Sequence, residues 1–454
     1  MYRVIRSDWL SVRRNFERLC YCHRYLRTLG VRQFCRHLYF NVFPLRKVTP
    51  LKMLLGGVYD INSNRWTLKR SRLMRHLNDA GKIRVVVSFT GLGGAADYLL
   101  NQLRTITDGI LTFVVMDAGI GGINDYVQVE VWRDGKSMFH FVAHSLMFFS
   151  GFPKSKEYDI VINELAGWHT YVGEEAMSDD GIGRIVDEIL RVKTSLNAKA
   201  LFLLHDHYCI CPRIALVNSD DKYCNTEYRQ EDCMKCIRRG GAKYGAFSPN
   251  TNIIKWRSAF NKLFQACDEI RAFSNDTLNR IKRIYPLGNN VYKLVPHKGL
   301  GCLPRVNVKH SECVTIGVFG AIGAIKGRKE VLSLSQYLSQ NNIVANIVIV
   351  GNLENCPEGL ANVTVTGQYK RADLPLIVER HKINVAFVSS ICPETFSFVT
   401  QELIMLGLPV VCFNIGAQAE QVSKYMLGRI SLSTDPHDVW TAIESAYGAL
   451  RLNE

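Results

Sequence analysis

The stretch Pro-Glu-Thr-Phe-Ser-Phe-Val-Thr-Gln-Glu-Leu-Ile-Met-Leu-Gly-Leu-Pro-Val-Val, residues 393–411, is the most informative part of this chain. An apolar segment ending in Ser389-Ser390 precedes it, and a glycine and a proline close its periodic part. That order predicts a strand, a loop, a helix, a tight stop and a second strand. Glu394 falls in the loop, and Glu402 falls about one and a half turns into the helix.

The predicted helix N-terminus, near residues 395–397, suits an anion. Free backbone N–H groups and the positive end of the helix dipole meet there. The Glu402 carboxylate, on the following turn, can accept hydrogen bonds from paired hydroxyls such as those of a ribose. With the loop carboxylate of Glu394, these features predict a site for a nucleotide diphosphate sugar. A solvated helix face is the alternative interpretation of the two glutamates.

This segment resembles the donor-binding signature of family-4 retaining glycosyltransferases, including bacterial polysaccharide and O-antigen glycosyltransferases. The resemblance extends over about residues 300–435 and, more weakly but in the right order, over about 82–295. It implies the α/β GT-B fold, with two Rossmann-like domains facing a central cleft. It also implies that Glu394 contacts the transferred sugar and Glu402 the ribose. The residues that the signature places at the donor between them are Thr395, Phe396 and Ser397.

The segment 320–327, Gly-Ala-Ile-Gly-Ala-Ile-Lys-Gly, follows a predicted strand. A lysine beside a glycine turn can meet a diphosphate as a mobile point charge. The family pattern places an arginine and a lysine on the donor diphosphate here. Lys326 matches the lysine, but Ala321 stands at the arginine position, so the sequence departs from the pattern. Arg328 and Lys329 are the candidates for the missing charge, and a plain surface lysine is the alternative for Lys326.

A second glycine turn, residues 91–94, follows the first predicted strand and opens a helix. Glycine lets the backbone approach a bound group closely, and a helix N-terminus suits phosphate. Gly93 and Gly94 resemble the glycine loop of the GT-B N-terminal domain, which implies that they bind donor; a plain tight turn is the alternative.

The sequence His-Asp-His at residues 205–207 ends a later predicted strand. Ligands of open α/β sheets bind outside the carboxyl ends of the strands. The resemblance implies that a histidine here lies beside the donor sugar, and we assign that catalytic position to His205 rather than His207. A structural histidine or a metal ligand is the alternative.

Four cysteines follow directly, in the spacing Cys-x12-Cys-x8-Cys-x2-Cys. Four thiolates with a closing CxxC suit a tetrahedral structural zinc, and they leave no open position for catalysis. The predicted ligands are Cys211, Cys224, Cys233 and Cys236. Reduced cysteines that pack a loop are the alternative. We expect no cofactor requirement for catalysis.

Composition and charge suggest where the protein works. The chain has 454 residues, of which 47% are hydrophobic and 21% charged, and no apolar run reaches the ~18–20 residues of a membrane helix. The N-terminus has no apolar core of a signal peptide, which predicts a cytoplasmic protein with reduced or metal-bound cysteines.

The basic character of the chain is concentrated at its N-terminus. Residues 1–75 hold 17 Lys and Arg against 3 Asp and Glu, whereas the remainder holds 39 against 38. This asymmetry predicts an anionic partner, which we take to be a membrane surface at the inner face of the plasma membrane. An arm that packs on another subunit or on the catalytic body is the alternative. No motif supports nucleic acid as a partner.

We therefore predict four parts of the chain. They are a basic helical extension (1–75), an acceptor-side Rossmann-like domain (82–295) with a Cys-rich insertion (209–240), a nucleotide-sugar-binding domain (300–434) and a crossover helix (435–454).

The predicted reaction moves a hexose-type sugar, with retention, from a nucleotide diphosphate sugar to a glycan or lipid-linked glycan acceptor. Its setting would be the synthesis of cell-surface polysaccharide. One alternative is a nucleotide-sugar epimerase of the same fold. Another is a non-catalytic binding subunit, which the alanine at position 321 favours. No GxSxG motif supports a hydrolase.

Overall fold

A computed structural model describes part of the chain, and the statements below concern that part. The described residues are 58–59, 70–89, 94–117, 127–143, 145–168, 179–225, 229–239, 250–288, 291–295, 297, 301–308, 311, 313–357 and 359–451.

The first domain is built on one sheet. Its strands are β1 (Val58–Tyr59), β2 (Lys82–Ser88), β3 (Leu111–Asp117), β4 (Val127–Arg133), β5 (Lys136–Ala143), β6 (Glu157–Ile162), β7 (Lys199–Leu203), β8 (Glu269–Ala272) and β9 (Tyr292–Leu294). Their order is β1-β5-β4-β3-β2-β6-β7-β8-β9. The run from β3 to β9 is parallel, whereas β4 pairs antiparallel with both β3 and β5. Strands rich in Val and Ile fit this sheet because both of its faces are covered.

Helices cover the first sheet. They are α1 (Arg70–Asp79), α2 (Gly94–Thr105), α3 (Asp179–Leu196), α4 (Gln230–Arg238), α5 (Ile253–Ala266) and α6 (Asn275–Ile284), with a 3-10 turn at Leu146–Gly151. On one face they enclose a core with many aromatic side chains, in which the rings of Phe113, Phe149 and Phe152 meet edge to face.

The structure corrects the boundary of the N-terminal extension. Residues 1–57 lie outside the described part, but the extension was predicted to end only at residue 75. β1 pairs with β5, and Leu73 and Leu77 of α1 are 3% and 1% exposed in the core of the first domain. The chain therefore enters the first domain before residue 75, because these apolar side chains need the sheet to cover them.

The second domain is a six-stranded parallel sheet. Its strands are β10 (Val314–Ile322), β11 (Ala345–Leu353), β12 (Val363–Val365), β13 (Val385–Val388), β14 (Val410–Phe413) and β15 (Gly428–Ser431). Its helices are α7 (Arg328–Gln340), α8 (Leu374–Arg380), α9 (Phe398–Leu406), α10 (Gly416–Ser423) and α11 (Pro436–Arg451), with 3-10 turns at Ala324–Lys326 and Arg371–Asp373.

The order of these strands is β12-β11-β10-β13-β14-β15, which is 3-2-1-4-5-6 when the domain is counted by itself. This is the Rossmann order, and ligands of such sheets bind where the strand order reverses. The reversal lies between β10 and β13. The first sheet has the corresponding reversal between β2 and β6, so the predicted GT-B architecture of two Rossmann-like domains is confirmed.

The last helix differs from its predicted role. We expected a helix that crosses back to the first domain, but α11 packs mainly on β15, β14, β13 and α7 of the second domain. Trp440 and Ile443 lie in the buried cluster on that face of the sheet. The first domain instead reaches across to this cluster, because Ala215 and Val217, from the segment after β7, are buried within it.

Candidate functional site

Lys326 and Glu394 meet at the reversal point of the second sheet. Lys326 ends the 3-10 turn after β10, and Glu394 lies in the loop after β13. The Lys326 Nζ atom is 2.5 Å from Glu394 Oε1, and the Ser390 hydroxyl donates to the same oxygen at 2.8 Å. Two predicted site residues that are 68 positions apart in the sequence are therefore in direct contact.

The Glu394 side chain is 15% exposed and the Lys326 side chain is 40% exposed. Burial raises the pKa of Glu394, but the Lys326 charge and hydrogen bonds from Lys326, Ser397 and Ser390 outweigh it, so the net shift is downward. Burial lowers the pKa of Lys326, and Glu394 and Cys392 together more than reverse this. Both groups are therefore charged at neutral pH, with a cation at the mouth of the site and an anion behind it.

The Glu394 loop is anchored by its backbone. Glu394 N–H donates to Gln418 Oε1 at 3.1 Å, and Ala417 N–H donates to the Glu394 carbonyl at 2.9 Å. Gly416 has a φ of 69°, and a Cβ there would come within 2.6 Å of Pro393 Cα. The start of α10 can therefore approach the loop only because residue 416 is glycine.

The turn that carries Lys326 is also held in place by close contacts. Gly327, at φ 80°, follows Lys326, and a Cβ there would collide with the Ser389 carbonyl. The Ser389 hydroxyl donates to the Lys326 carbonyl at 2.6 Å. These contacts lock the two loops together across the reversal point, so the ammonium and the carboxylate have fixed neighbours.

Helix α9 begins as predicted, immediately after the Glu394 loop. Ser397 is its N-cap and accepts a hydrogen bond from Thr400 N–H, and Gly407 ends it at φ 83°. The N-cap leaves other first-turn N–H groups free for an anion. Before the cap, the Thr395 hydroxyl donates to the His205 carbonyl of the first domain at 2.8 Å.

Glu402 lies on the buried side of α9 and is 9% exposed. Its Oε1 accepts a hydrogen bond from Arg371 Nε at 2.8 Å, and Arg371 Nη2 also donates to the Gly301 carbonyl at 2.6 Å. Burial raises the pKa of Glu402, and the hydrogen bond and charge of Arg371 pull it back only in part. No sequence signal pointed to Arg371, because the partners are 31 positions apart.

His205 faces this site from the first domain. Its ring stacks on Phe273 at 4.8 Å, with Tyr98 at 4.9 Å. Burial, followed by the charge of His297, lowers the pKa of His205 to about 3, so the ring is neutral at physiological pH. Among the described residues, its buried Nε2 has no hydrogen-bond partner. His207 is 1% exposed and packs inside the first domain, and the choice of His205 as the site histidine stays a prediction.

His297, which sequence reasoning missed, joins the two halves of the site. It lies in the link between the domains and stacks on Phe396 with ring centroids 4.4 Å apart at 19°. Tyr98 and Phe398 meet it edge-on at 4.7 Å each. Phe396, in the loop that carries Glu394, is thereby packed against the link and the first domain.

Gly94 opens α2 and lies against the second domain, where a Cβ would come within 2.6 Å of the Phe398 ring. Gly93, the other predicted glycine, lies outside the described residues. The close approach of backbone and ring gives Gly94 a packing role, and its contact with donor stays a prediction.

Ala321 stands where the family pattern has an arginine, and Arg328 does not bring the missing positive charge to Glu394. The Arg328 guanidinium donates to the carbonyls of Glu354 and Asn355, and the latter distance is 2.9 Å. Lys329 is exposed. Lys326 is therefore the cation that this structure brings to Glu394.

The cysteines of the insertion are close enough to affect one another's ionisation. Burial raises the pKa of Cys211 to about 12, and Cys233 and Cys236 contribute to its environment. Arg257 Nη2 donates to Cys233 Sγ at 3.3 Å. Within the described part of the chain, however, no group of three or more His, Cys, Asp or Glu side chains is arranged to hold a metal ion. The structural zinc predicted on these cysteines, with Cys224 as the fourth ligand, stays a prediction.

Across the described residues, no helix combines the length and the apolar character that a membrane span requires.

Residues 304–447 match the family described as "Glycosyl transferases group 1". No curated protein matches the chain. Similar solved structures include Anabaena Alr3699/HepE in complex with UDP and glucose, at 14% identity and a TM-score of 0.47, covering 82% of this chain and 94% of that one. Another is the catalytic domain of starch synthase IV from Arabidopsis thaliana bound to ADP and acarbose, at 11% identity and a TM-score of 0.44, covering 82% and 92%. The family match contains Lys326, Glu394 and Glu402.

Proposed function

We propose that this protein is a retaining glycosyltransferase that moves a hexose-type sugar from a nucleotide diphosphate sugar to a hydroxyl of a glycan or lipid-linked glycan. The observation that carries the proposal is the contact between Lys326 and Glu394 at the reversal point of a Rossmann-ordered sheet. This contact lies within the region matched to glycosyl transferases. A cation, a carboxylate and a helix N-terminus together suit a diphosphate joined to a polyol.

The donor diphosphate is assigned to Lys326 and the N-terminus of α9. An ammonium has three N–H donors, so Lys326 can contact phosphate while it keeps its bond to Glu394. Glu394 then accepts hydrogen bonds from sugar hydroxyls. Glu402, one turn further along the helix, accepts the ribose hydroxyls.

His205 approaches the sugar from the other domain. A neutral imidazole can both donate and accept a hydrogen bond, and the depressed pKa of His205 keeps it neutral. Its unpartnered buried Nε2 is available to a ligand hydroxyl once the cleft rearranges around donor.

In the proposed transfer, the bond between the anomeric carbon and the diphosphate oxygen breaks, and a bond to the acceptor oxygen forms on the same face. The acceptor proton passes to the departing phosphate oxygen. The chain contributes positioning and stabilisation of the developing negative charge rather than a nucleophile. Contacts between the domains, such as that of His297 with Phe396, exclude water from this step.

A donor panel tests the proposal and separates its alternatives. The full chain is incubated with UDP-glucose, UDP-N-acetylglucosamine, GDP-mannose and ADP-glucose, with and without a set of glycan acceptors. Transfer releases nucleoside diphosphate in proportion to a glycosylated acceptor whose new bond keeps the donor configuration. Nucleotide release without acceptor, with an epimerised sugar, would favour the epimerase. Binding without turnover would favour the binding subunit.

Two substitutions tie the activity to this site. Glu394→Gln should lower turnover more than nucleotide affinity, because it removes the charge that orients the sugar. Glu379→Gln, on an exposed helix position of the same domain, is the matched control and should change neither. Wild-type transfer by Glu394→Gln would refute the site assignment.

The cellular role of the proposed enzyme is the synthesis of cell-surface polysaccharide on the cytoplasmic side of the membrane. This part of the proposal rests on the excess of Lys and Arg at the N-terminus, which suits an anionic surface where a lipid-linked acceptor is held.

A further inference from the structure

The proposed transfer assigns no role to the contact between Arg371 and Glu402. Arg371 begins the 3-10 turn after β12, and Glu402 lies on α9, which follows β13; β11 and β10 lie between β12 and β13 in the sheet. The guanidinium makes two directed hydrogen bonds from different nitrogens, one to the Glu402 carboxylate at 2.8 Å and one to the Gly301 carbonyl at 2.6 Å. Its orientation is therefore fixed at two points.

The two partners are unequally exposed. The Glu402 side chain is 12% exposed and the Arg371 side chain 34% exposed. A carboxylate at this depth without a partner would be costly to ionise, because burial disfavours the charged form. Arg371 supplies the compensating charge from the solvent side.

The hydrogen bonds also constrain the direction of the carboxylate. Arg371 occupies Oε1 of Glu402, and in the described residues no hydrogen bond from protein to Oε2 is present. A ribose presents two neighbouring hydroxyls, and an ionised carboxylate offers about four lone-pair sites on two oxygens. The arrangement leaves acceptor capacity for a diol while the side chain stays fixed.

We propose that Arg371 is a positioning residue that keeps the Glu402 carboxylate ionised and aimed at the ribose hydroxyls of the donor nucleotide. This inference rests on the proposed function, since it presumes that Glu402 holds the ribose. It assigns to Arg371 an effect on nucleotide affinity and on its pH dependence, without direct contact to the sugar that is transferred.

Other ionisable groups around Glu402 do not replace Arg371. Tyr369 feels the Glu402 charge, which together with burial raises the pKa of that phenol to about 12, so it stays neutral. Arg305 lies beside Gly407 at the far end of α9. Glu420, on the neighbouring helix α10, is bound by Lys424 and by the backbone N–H groups at the start of α6.

The test is calorimetric titration of the full chain with UDP, ADP and GDP between pH 8 and pH 5.5, followed by the same series with variants. Arg371→Ala should bind the preferred nucleotide about tenfold more weakly at pH 8, the loss of roughly one charged hydrogen bond. Its affinity should begin to fall at a higher pH than that of the wild type, because the pKa of Glu402 rises further without its partner. The phosphates of the probe titrate alike with every variant, so only differences between the profiles are read.

Arg371→Lys keeps the charge and should restore the wild-type pH profile, although it cannot make both directed bonds and should recover affinity only in part. Lys370→Ala, an exposed neighbour with the same charge change, is the matched control and should match the wild type. Thermal midpoints identify any variant that fails to fold, and Arg371→Lys then carries the test.

Glu402→Gln distinguishes a failure of the proposed function of Glu402 from a failure of the proposed role of Arg371. If it binds nucleotide as tightly as the wild type, or if the wild type binds none of the three nucleotides, the proposed function of Glu402 fails and the role of Arg371 fails with it. If Glu402→Gln binds more weakly, while folded Arg371→Ala has wild-type affinity or an unshifted pH profile, only the role of Arg371 is overturned.

Discussion

The hydroxyl of Thr395 donates a hydrogen bond to the backbone carbonyl of His205, 190 positions earlier in the sequence, at 2.8 Å. One partner belongs to the loop that carries Glu394, and the other follows β7 of the first domain. The bond therefore links the loop of the proposed diphosphate site to the histidine that is proposed to face the sugar. Because a backbone carbonyl is the acceptor, the contact does not depend on the protonation of the imidazole.

Replacing Thr395 by Val should loosen the cleft. The substitution keeps the β-branched shape but removes the donor, at a cost of about 0.5–1.5 kcal/mol for the closed arrangement. We expect a higher KM for donor and a larger radius of gyration in small-angle X-ray scattering without nucleotide. Thr395→Ser keeps the hydroxyl and should resemble the wild type; identical behaviour of Val and Ser variants would contradict this role.

Gly327→Ala should displace Lys326. The αL backbone and the collision with the Ser389 carbonyl both oppose a side chain at this position. We expect a loss of about 1–3 kcal/mol in stability and a matching loss of nucleotide affinity. Gly288→Ala, where nothing lies within 4 Å of the added carbon, is the control for thermal midpoint and titration. Equal effects of the two substitutions would argue against a tight turn at Lys326.

The protein should lose stability as the pH falls below about 6.5, partly through His207. Burial, followed by the Arg280 charge, lowers the pKa of His207 to about 3 from 6.5. Between pH 6.5 and pH 3, the unfolded chain therefore binds a proton at His207 that the folded chain does not bind. The stability that neutral His207 contributes is complete above pH 6.5 and is lost as the pH falls towards 3. The loss is about 1.4 kcal/mol per pH unit in that window.

His207→Phe removes the titrating group and keeps a ring of similar size. Its thermal midpoint should fall less between pH 7.5 and pH 5 than that of the wild type. His205 contributes in the same direction, because burial and the His297 charge lower its pKa to about 3 as well, so the variant should retain some pH dependence. A parallel fall in both proteins would show that His207 is protonated in the native state.

The cysteine spacing still predicts a structural zinc, which can be measured directly. Protein purified without chelator should contain about one zinc per chain, and Cys233→Ser should lower both the metal content and the thermal midpoint. Cys356→Ser, at an exposed cysteine of the second domain, should change neither. If the purified protein contains no metal and Cys233→Ser keeps the wild-type thermal midpoint, the alternative is established, namely a loop packed by reduced thiols.

The N-terminal segment should bring the protein to anionic membranes. Residues 1–55 carry 12 Lys and Arg against 2 Asp and Glu, and each basic residue near such a surface contributes about 1 kcal/mol at most. Full-length protein should sediment with phosphatidylserine vesicles more than with neutral ones, and high salt should release it. Protein lacking residues 1–55 keeps β1 and α1, and it should stay soluble and unbound. Equal binding by both proteins, or none by either, would refute this.

The parts of the site that sequence predicted are those with local signals. The helix that carries Glu402 is framed by an N-cap serine and an αL glycine, and both act through residues a few positions away. The hairpin of β4 and β5 also had such a signal in Asp134-Gly135, which the structure places at φ 48° and 75°. The predicted Rossmann-like domains do not include this hairpin, because such domains are built on parallel strands.

The contacts that sequence did not predict join distant elements. Arg371 is an unremarkable surface arginine until the sheet places it beside Glu402, and His297 is one histidine in an irregular link until Phe396 stacks on it. Neither position has a local pattern, because the geometry arises only when strands β12 to β14 and the two domains come together. The sequence shows that position 321 lacks an arginine, but it does not show that Arg328 binds the carbonyls of Glu354 and Asn355.

The burial of Ala215 and Val217 in the core of the second domain has a consequence for engineering. A chimera that exchanges the whole first domain at the interdomain link would transplant these two side chains as well, and the recipient would have to fit foreign apolar groups into its own interior. A graft that retains the native segment around residues 215–217 should fold, whereas one that cuts only at the link should leave a hole or a clash. Exchange of the first domain of this protein therefore requires two junctions rather than one.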